Sequence, residues 1–211
     1  LSFSRSVYKT LSMLIKAHKK TLFCIAFISA MFAALQPFLY INFIMPFSKL
    51  GLSAPILKAL AKQGYTKIYP VQEAAVPAIL SGKDILGIAK TGSGKTMGFV
   101  LPILQQFRYK PAAENRHIKA LILVPTRELA VQVGEVFKSF SEDLPRPVKS
   151  MAIFGGVSIN PQMMELQGVE ILVATPGRLL DLVSVKAVHL SSVDVLVLDE
   201  ADKMLNLGFK E

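Results

Sequence analysis

The chain lacks the side chains that usually staple or metallate a small fold. A single cysteine, Cys24, in 211 residues rules out an internal disulfide framework. The three histidines, His18, His117 and His189, are scattered without the spacing a structural metal needs. No internal repeat and no low-complexity tract is present, which leaves an ordinary globular sequence. Acidic residues are missing from the entire first third: none precedes Glu73.

That early stretch has a character of its own. Arg5, Lys9, Lys16, Lys19 and Lys20 precede an uncharged apolar run from Thr21 to Ser48, long enough to span a bilayer. Pro37 and Asn42 interrupt the run without forbidding a span. These five charges belong to a total of 24 basic residues, so the remainder carries 19 against 15 acidic and is only mildly basic. Three readings of residues 1–44 stand open: artefactual or translated non-coding sequence upstream of a true start at Met45, a membrane anchor or uncleaved signal, or an organelle transit peptide.

From Met45 to Glu211 the pattern changes. Short apolar runs recur at Ile85–Ile88, Ala120–Val124, Met151–Phe154, Ile171–Ala174 and Val195–Leu198. Helical patterns separate them, as at Glu128–Phe140 and Arg178–Val183, and Pro145-Arg146-Pro147 marks a loop. Strands alternating with helices predict an α/β fold, a parallel sheet covered by helices on both faces. The span is long enough for one domain with a sizeable core.

Two motifs carry chemistry. The first is Ala89-Lys90-Thr91-Gly92-Ser93-Gly94-Lys95-Thr96. Triphosphate concentrates negative charge, and holding it takes converging backbone N–H groups where no Cβ blocks approach. Gly92 and Gly94 meet that need, Lys95 can reach the β and γ phosphates, and the Thr96 hydroxyl can ligate Mg²⁺. Asp84–Ala89 reads as a short buried strand before the loop, and Thr96–Leu104 as a helix after it whose N-terminus favours anions. Ala89 stands where the strict phosphate-loop pattern has glycine.

The second motif is Asp199-Glu200-Ala201-Asp202, which follows the run Val195–Leu198. An Asp at the carboxyl end of a strand can hold Mg²⁺ already bound to phosphates. Glu200 beside it can accept a proton from an attacking water. Ligands of open parallel sheets bind outside the carboxyl ends of the strands, so the two motifs can meet in space. Together they describe a nucleoside-triphosphate hydrolase.

At these residues the chain resembles the DEAD-box ATP-dependent RNA helicases, over about Phe47 to Glu211. Further ordered elements carry the resemblance: Pro125-Thr126-Arg127-Glu128-Leu129-Ala130, Gly155-Gly156 and Thr175-Pro176-Gly177-Arg178-Leu179. Upstream, Phe47, Gly64, Tyr65 and Gln72 match the family's adenine-reading motif in type and spacing. The resemblance implies the first of two RecA-like, P-loop NTPase domains, here residues 45–211, with ATP and Mg²⁺ as ligands. Gln72 is then expected to read the adenine edge, which an amide's paired donor and acceptor suit, and Phe47 to pack near the base. Lys95, Asp199 and Glu200 take the catalytic roles, Thr96 and Asp199 the metal, and Asp202 the coupling between domains.

The same resemblance makes RNA the expected partner. Arg127 and Arg178 can grip phosphates bidentately. Gly155, Gly156 and Gly177 let backbone N–H groups approach a strand, and Thr126 and Thr175 offer hydroxyls; Pro125 and Pro176 complete the elements. None of these groups reads base edges, so binding is expected to be mostly independent of sequence and sensitive to salt.

Two departures stand out. Ile68 and Tyr69 occupy positions where the family usually has Pro and then Ser or Thr, so a phenol replaces a small hydroxyl next to the phosphate loop. The chain also lacks the family's Ser-Ala-Thr element and the second domain with its arginine finger. It begins with Leu1, and it reads as a fragment that binds nucleotide but hydrolyses it poorly alone. The resemblance begins beside Met45, which favours Met45 as a start and the cytoplasm as location; residues 1–44 are then no part of the fold. A non-catalytic RNA clamp or a membrane-tethered ATPase are the alternative functions.

Overall fold

The computed structural model describes residues 46–90, 92–113 and 115–206. The basic apolar leader of residues 1–44 and Thr91 of the phosphate loop lie outside the described residues. Pro46–Glu211 forms a compact unit of its own.

Helices α1 (Ala54–Lys62), α2 (Pro70–Leu80) and α3 (Lys95–Phe107) come first. Strands and helices then alternate: β1 (Ala120–Leu123), α4 (Arg127–Ser141), β2 (Ser150–Ile153), α5 (Ile159–Glu165), β3 (Ile171–Ala174), α6 (Pro176–Ser184), β4 (Val195–Leu198) and α7 (Ala201–Asn206). The four strands form one sheet in the order β2-β3-β1-β4, and every pairing is parallel. Ala120 lies opposite both Ile171 and Val195, so the carboxyl ends of β1, β3 and β4 fall level.

The strand period of two sorts the side chains into two cores. Ala120, Ile122, Ile171 and Val173 face one core with Leu60 of α1, Val76 of α2, Leu101 and Leu104 of α3, and Val133 and Phe137 of α4. Leu121, Leu172, Ala174 and Ile153 face the other with Leu179 and Leu182 of α6 and Leu166. β1 and β3 are apolar on both faces because both faces are covered. The expected two-faced parallel sheet is thus observed.

One expected strand is not. Ile85–Ile88 was predicted to be buried β-structure, but Asp84–Lys90 has no regular structure. Ile85, Leu86 and Ile88 are 42, 87 and 91 % exposed. The composition suits a strand, but a strand also needs a ladder partner, and the described sheet ends at β4.

Candidate functional site

The phosphate loop opens α3. Gly94 is its N-cap in the left-handed region, φ +85°, which spares the helix start a Cβ. A Cβ there would sit 2.4 Å from Gln72 Nε2 and 2.9 Å from Tyr69 Cδ2, so glycine is required twice over. Lys95 donates across the loop to the carbonyl of Ala89 at 2.7 Å. The Ser93 hydroxyl is buried without a hydrogen-bond partner, and Gly92 is left-handed and exposed. Thr96, the second helical residue, is half-buried beside them.

Gln72 ties α2 to this loop. Its Oε1 accepts from the Tyr69 N–H at 3.1 Å and its Nε2 donates to the Gly94 carbonyl at 3.1 Å. The first bond caps α2 from its third residue. The reciprocal bond is missing: Tyr69 makes no side-chain cap bond, as follows from exchanging a short hydroxyl for a phenol. Gln72 is 1 % exposed, with one donor and one acceptor site already spent inside the protein. Phe47 is also 1 % exposed and lies within the main core, so its ring has no open face for a base. Phe47, expected to pack near the base, is a core residue in this structure. Tyr65 tilts against Phe140, 5.7 Å between ring centres.

The acidic motif sits at the carboxyl end of β4. The Asp199 N–H still donates to Leu123 at 2.9 Å, prolonging the ladder. Asp199 is buried, and burial, then the Glu200 charge, push its carboxyl above the usual carboxylate range, while Lys95 pulls it back. The phosphate loop opens α3 and the acidic motif closes β4. Glu200 turns the chain with a left-handed φ of +53°, uncommon for a residue with a Cβ. Its carboxylate pairs with Lys203 at 2.8 Å, which raises the lysine's pKa, and its carbonyl starts α7. Asp202 is exposed in the first turn of that helix.

The three further elements cluster at the carboxyl ends of β1, β2 and β3. Thr126 caps α4, its Oγ1 accepting from Leu129 N–H at 3.2 Å, and leaves Arg127 exposed with its guanidinium 4.8 Å over the Phe154 ring. Pro125 is buried behind it. Gly155 and Gly156 are exposed, the latter at φ +79°. Thr175 and Pro176 start α6, and Gly177 is exposed on its first turn. Arg178, expected to grip phosphate, is held by protein acceptors in this structure. It is 7 % exposed and donates to Gln162 Oε1 at 3.0 Å, to the Val157 carbonyl at 2.7 Å and to Asp181 Oδ2 at 3.3 Å. An arginine this enclosed must find protein acceptors, and it has. Gln162, which sequence reasoning passed over, has no local signature; its importance lies wholly in its tertiary partners.

Among the described residues no cluster of three or more His, Cys, Asp or Glu could hold a metal by itself. No helix among the described residues is long and apolar enough to cross a membrane.

A parallel sheet flanked by helices on both faces, with a phosphate-loop sequence opening one helix and an acidic motif closing a strand, is the pattern of a RecA-like nucleotide-binding domain. The comparisons make this specific. Residues 69–211 match the DEAD/DEAH box helicase model, and the chain belongs to that family. It is 46 % identical over 168 residues to the DEAD-box ATP-dependent RNA helicase CshA of Streptococcus pneumoniae, covering 79 % of this chain and 31 % of the relative. To the ATP-dependent RNA helicase DeaD of Escherichia coli it is 48 % identical over 166 residues, covering 78 % and 26 %. The chain therefore spans about a quarter to a third of these relatives' length. Among solved structures it is similar to a DEAD box protein from the hyperthermophile Methanococcus jannaschii, with TM-score 0.70 and 39 % identity over 78 % of this chain and 44 % of that one. It is also similar to the RNA helicase Prp28 of Chaetomium thermophilum, solved with ADP, with TM-score 0.68 and 38 % identity over 76 % and 39 %.

Proposed function

We propose that residues 45–211 are the ATP- and RNA-binding domain of a cytoplasmic ATP-dependent RNA helicase, acting with a second RecA-like domain of the same protein. One observation carries the reading: the glycine-bearing loop that opens α3 turns the Lys95 ammonium onto its own Ala89 carbonyl at 2.7 Å and buries a Ser93 hydroxyl without a hydrogen-bond partner. A cation and an unsatisfied hydroxyl in such a loop at a helix N-terminus suit a phosphate group.

In this reading the phosphates displace Lys95 from Ala89 and satisfy the orphaned Ser93 hydroxyl. Ala89, Lys90 and Gly92 line the loop, and the α3 N-terminus supplies N–H groups and dipole. Thr96 and Asp199 would hold Mg²⁺, which would supply charge neutralisation to the phosphates. Glu200, aimed by its left-handed backbone, takes a proton from the attacking water. Gln72 reads adenine with its spare donor and acceptor and passes the contact to Gly94. Tyr65 belongs to the same base-binding end. Asp202, exposed on α7, faces the second domain and couples the two.

Pro125, Thr126 and Arg127, with Gly155, Gly156, Thr175, Pro176 and Gly177, form the RNA surface. Backbone N–H groups and one exposed arginine grip phosphates without reading bases. Coupled ATP turnover and RNA clamping then open short duplexes locally.

The test uses the full-length protein with RNA and ATP. Glu200→Gln should retain binding of both while turnover falls by roughly a hundredfold or more, the scale of a lost general base. Unaltered turnover removes Glu200 as the base.

A further inference from the structure

The loop between β2 and α5 is poor in side chains of its own. Gly155-Gly156 has no Cβ to anchor it, and Gly156 at φ +79° occupies a region glycine leaves as easily as it enters. A loop meant to present backbone N–H groups to a phosphate should nevertheless be rigid, because ordering it on binding costs affinity. Its rigidity must come from outside the glycines.

It comes from two buried side chains. Gln162, 8 % exposed on α5, donates from Nε2 to the Phe154 carbonyl at 3.2 Å. Arg178, 7 % exposed on α6, donates from Nη2 to the Val157 carbonyl at 2.7 Å. The two are joined, Arg178 Nη1 to Gln162 Oε1, at 3.0 Å. Phe154 and Val157 are the residues immediately flanking the glycine pair. One connected amide–guanidinium unit therefore clamps both ends of the loop by its carbonyls and leaves the glycine N–H groups uncommitted to it. Asp181 steadies the guanidinium from α6, and the Arg127 guanidinium lies on the Phe154 ring from α4.

We infer that Gln162 and Arg178 are positioning residues that set the Gly155-Gly156 loop for RNA, and that Arg178 is not itself a phosphate ligand. The inference rests on the RNA surface proposed above. It places the specificity for backbone geometry in a residue pair that never touches the strand. A ligand-type arginine would contribute counterion release, whereas a buried brace contributes only geometry.

The experiment measures the full-length protein's RNA-stimulated ATP turnover and its binding to labelled oligouridylate across a salt series. Gln162→Met keeps the volume and removes both hydrogen bonds. It is expected to raise KM for RNA about tenfold, the scale of one or two lost hydrogen bonds, with KM for ATP and kcat at saturating RNA within about twofold. The slope of log K against log salt should stay that of the unaltered protein. Arg127→Met, on the RNA surface, should lower that slope by about 0.7. Asp181→Ala changes an exposed carboxylate and cannot unfold the domain; it removes one tether of Arg178 and should raise KM for RNA about two- to threefold. If Gln162→Met and Asp181→Ala leave KM for RNA unchanged while Arg127→Met weakens binding, the brace is overturned and the RNA surface stands. If Arg127→Met is also without effect, the RNA surface fails, and the brace with it. A salt slope that falls in Arg178→Met as it does in Arg127→Met makes Arg178 a phosphate ligand and sinks the inference directly.

Discussion

Two buried carboxylates lie at opposite ends of the same sheet and are treated in opposite ways. Glu170, at the amino end of β3, is 1 % exposed and fully matched: Arg146 grips it through two bonds of 2.7 and 3.0 Å, and Lys119 lies 3.9 Å away. Asp199, at the carboxyl end of β4, is 8 % exposed and has no ion pair among the described residues. It sits instead between the Lys95 charge and the repelling Glu200. A fully satisfied carboxylate is structure, while one left short of cations keeps capacity for a ligand that brings its own. The buried carboxylate at the amino end is paired; the one at the carboxyl end has no ion pair among the described residues.

The largest way to break this contrast is at the paired end. Arg146→Ala leaves Glu170 buried beside only a distant lysine and should cost about 3 kcal/mol in chemical denaturation, at the lower end for a broken buried pair. A loss under about 1 kcal/mol would mean Lys119 suffices. Next is Gly94→Ala at the open end. A Cβ in left-handed backbone, 2.4 Å from Gln72 Nε2, should cost about 2 kcal/mol and detach the amide from the loop. Thermal melting with and without nucleotide checks both parts. Lys95→Ala should leave the fold intact and weaken binding of a fluorescent ATP analogue roughly thirtyfold, about 2 kcal/mol; equal affinity refutes the phosphate loop.

The smallest effect has the sharpest sign. Burial first, and Glu200 second, raise the Asp199 carboxyl's affinity for its proton in the fold. Such a group stabilises the fold below its unfolded value, about pH 4, and loses that contribution as pH rises through the folded value. Ionised Asp199 is therefore a cost at neutral pH. Asp199→Asn should raise the melting temperature of the ligand-free protein at pH 7, with the gain shrinking as pH falls toward 4. Glu170 replaced by Gln should lower it at pH 7, because its guanidinium partner would then be stranded.

Sequence legibility followed the same division. Ile171–Ala174 and Val195–Leu198 are strands at the boundaries the pattern predicts, and the helix starting at the phosphate loop runs from Lys95 to Phe107. Those features are local: period, caps and glycines declare them. Ile85–Ile88 misled because β propensity says nothing about whether a neighbour is there to pair with. The burial of Arg178 was illegible for a related reason. Its motif announces a cation on a helix start, but whether that cation faces solvent depends on Gln162 and Val157, from other elements. The Glu170–Arg146 pair was not read from the sequence, because the two residues belong to separate segments that only the fold brings together.

Helix α3 is fastened at both ends. At its start the Gly94 carbonyl is held by Gln72, and at its close the Phe107 carbonyl is held by Arg146 at 3.0 Å, the same guanidinium that grips Glu170. Thirteen residues of helix make a rod roughly 20 Å long. A rod pinned this way cannot bend to absorb a push, since helices yield at defects more readily than along their axes. Pro102 is its one built-in defect. A shift imposed on the Gly94 carbonyl would therefore have to pass Pro102 before it reached the Arg146–Glu170 pair at the other end of the rod.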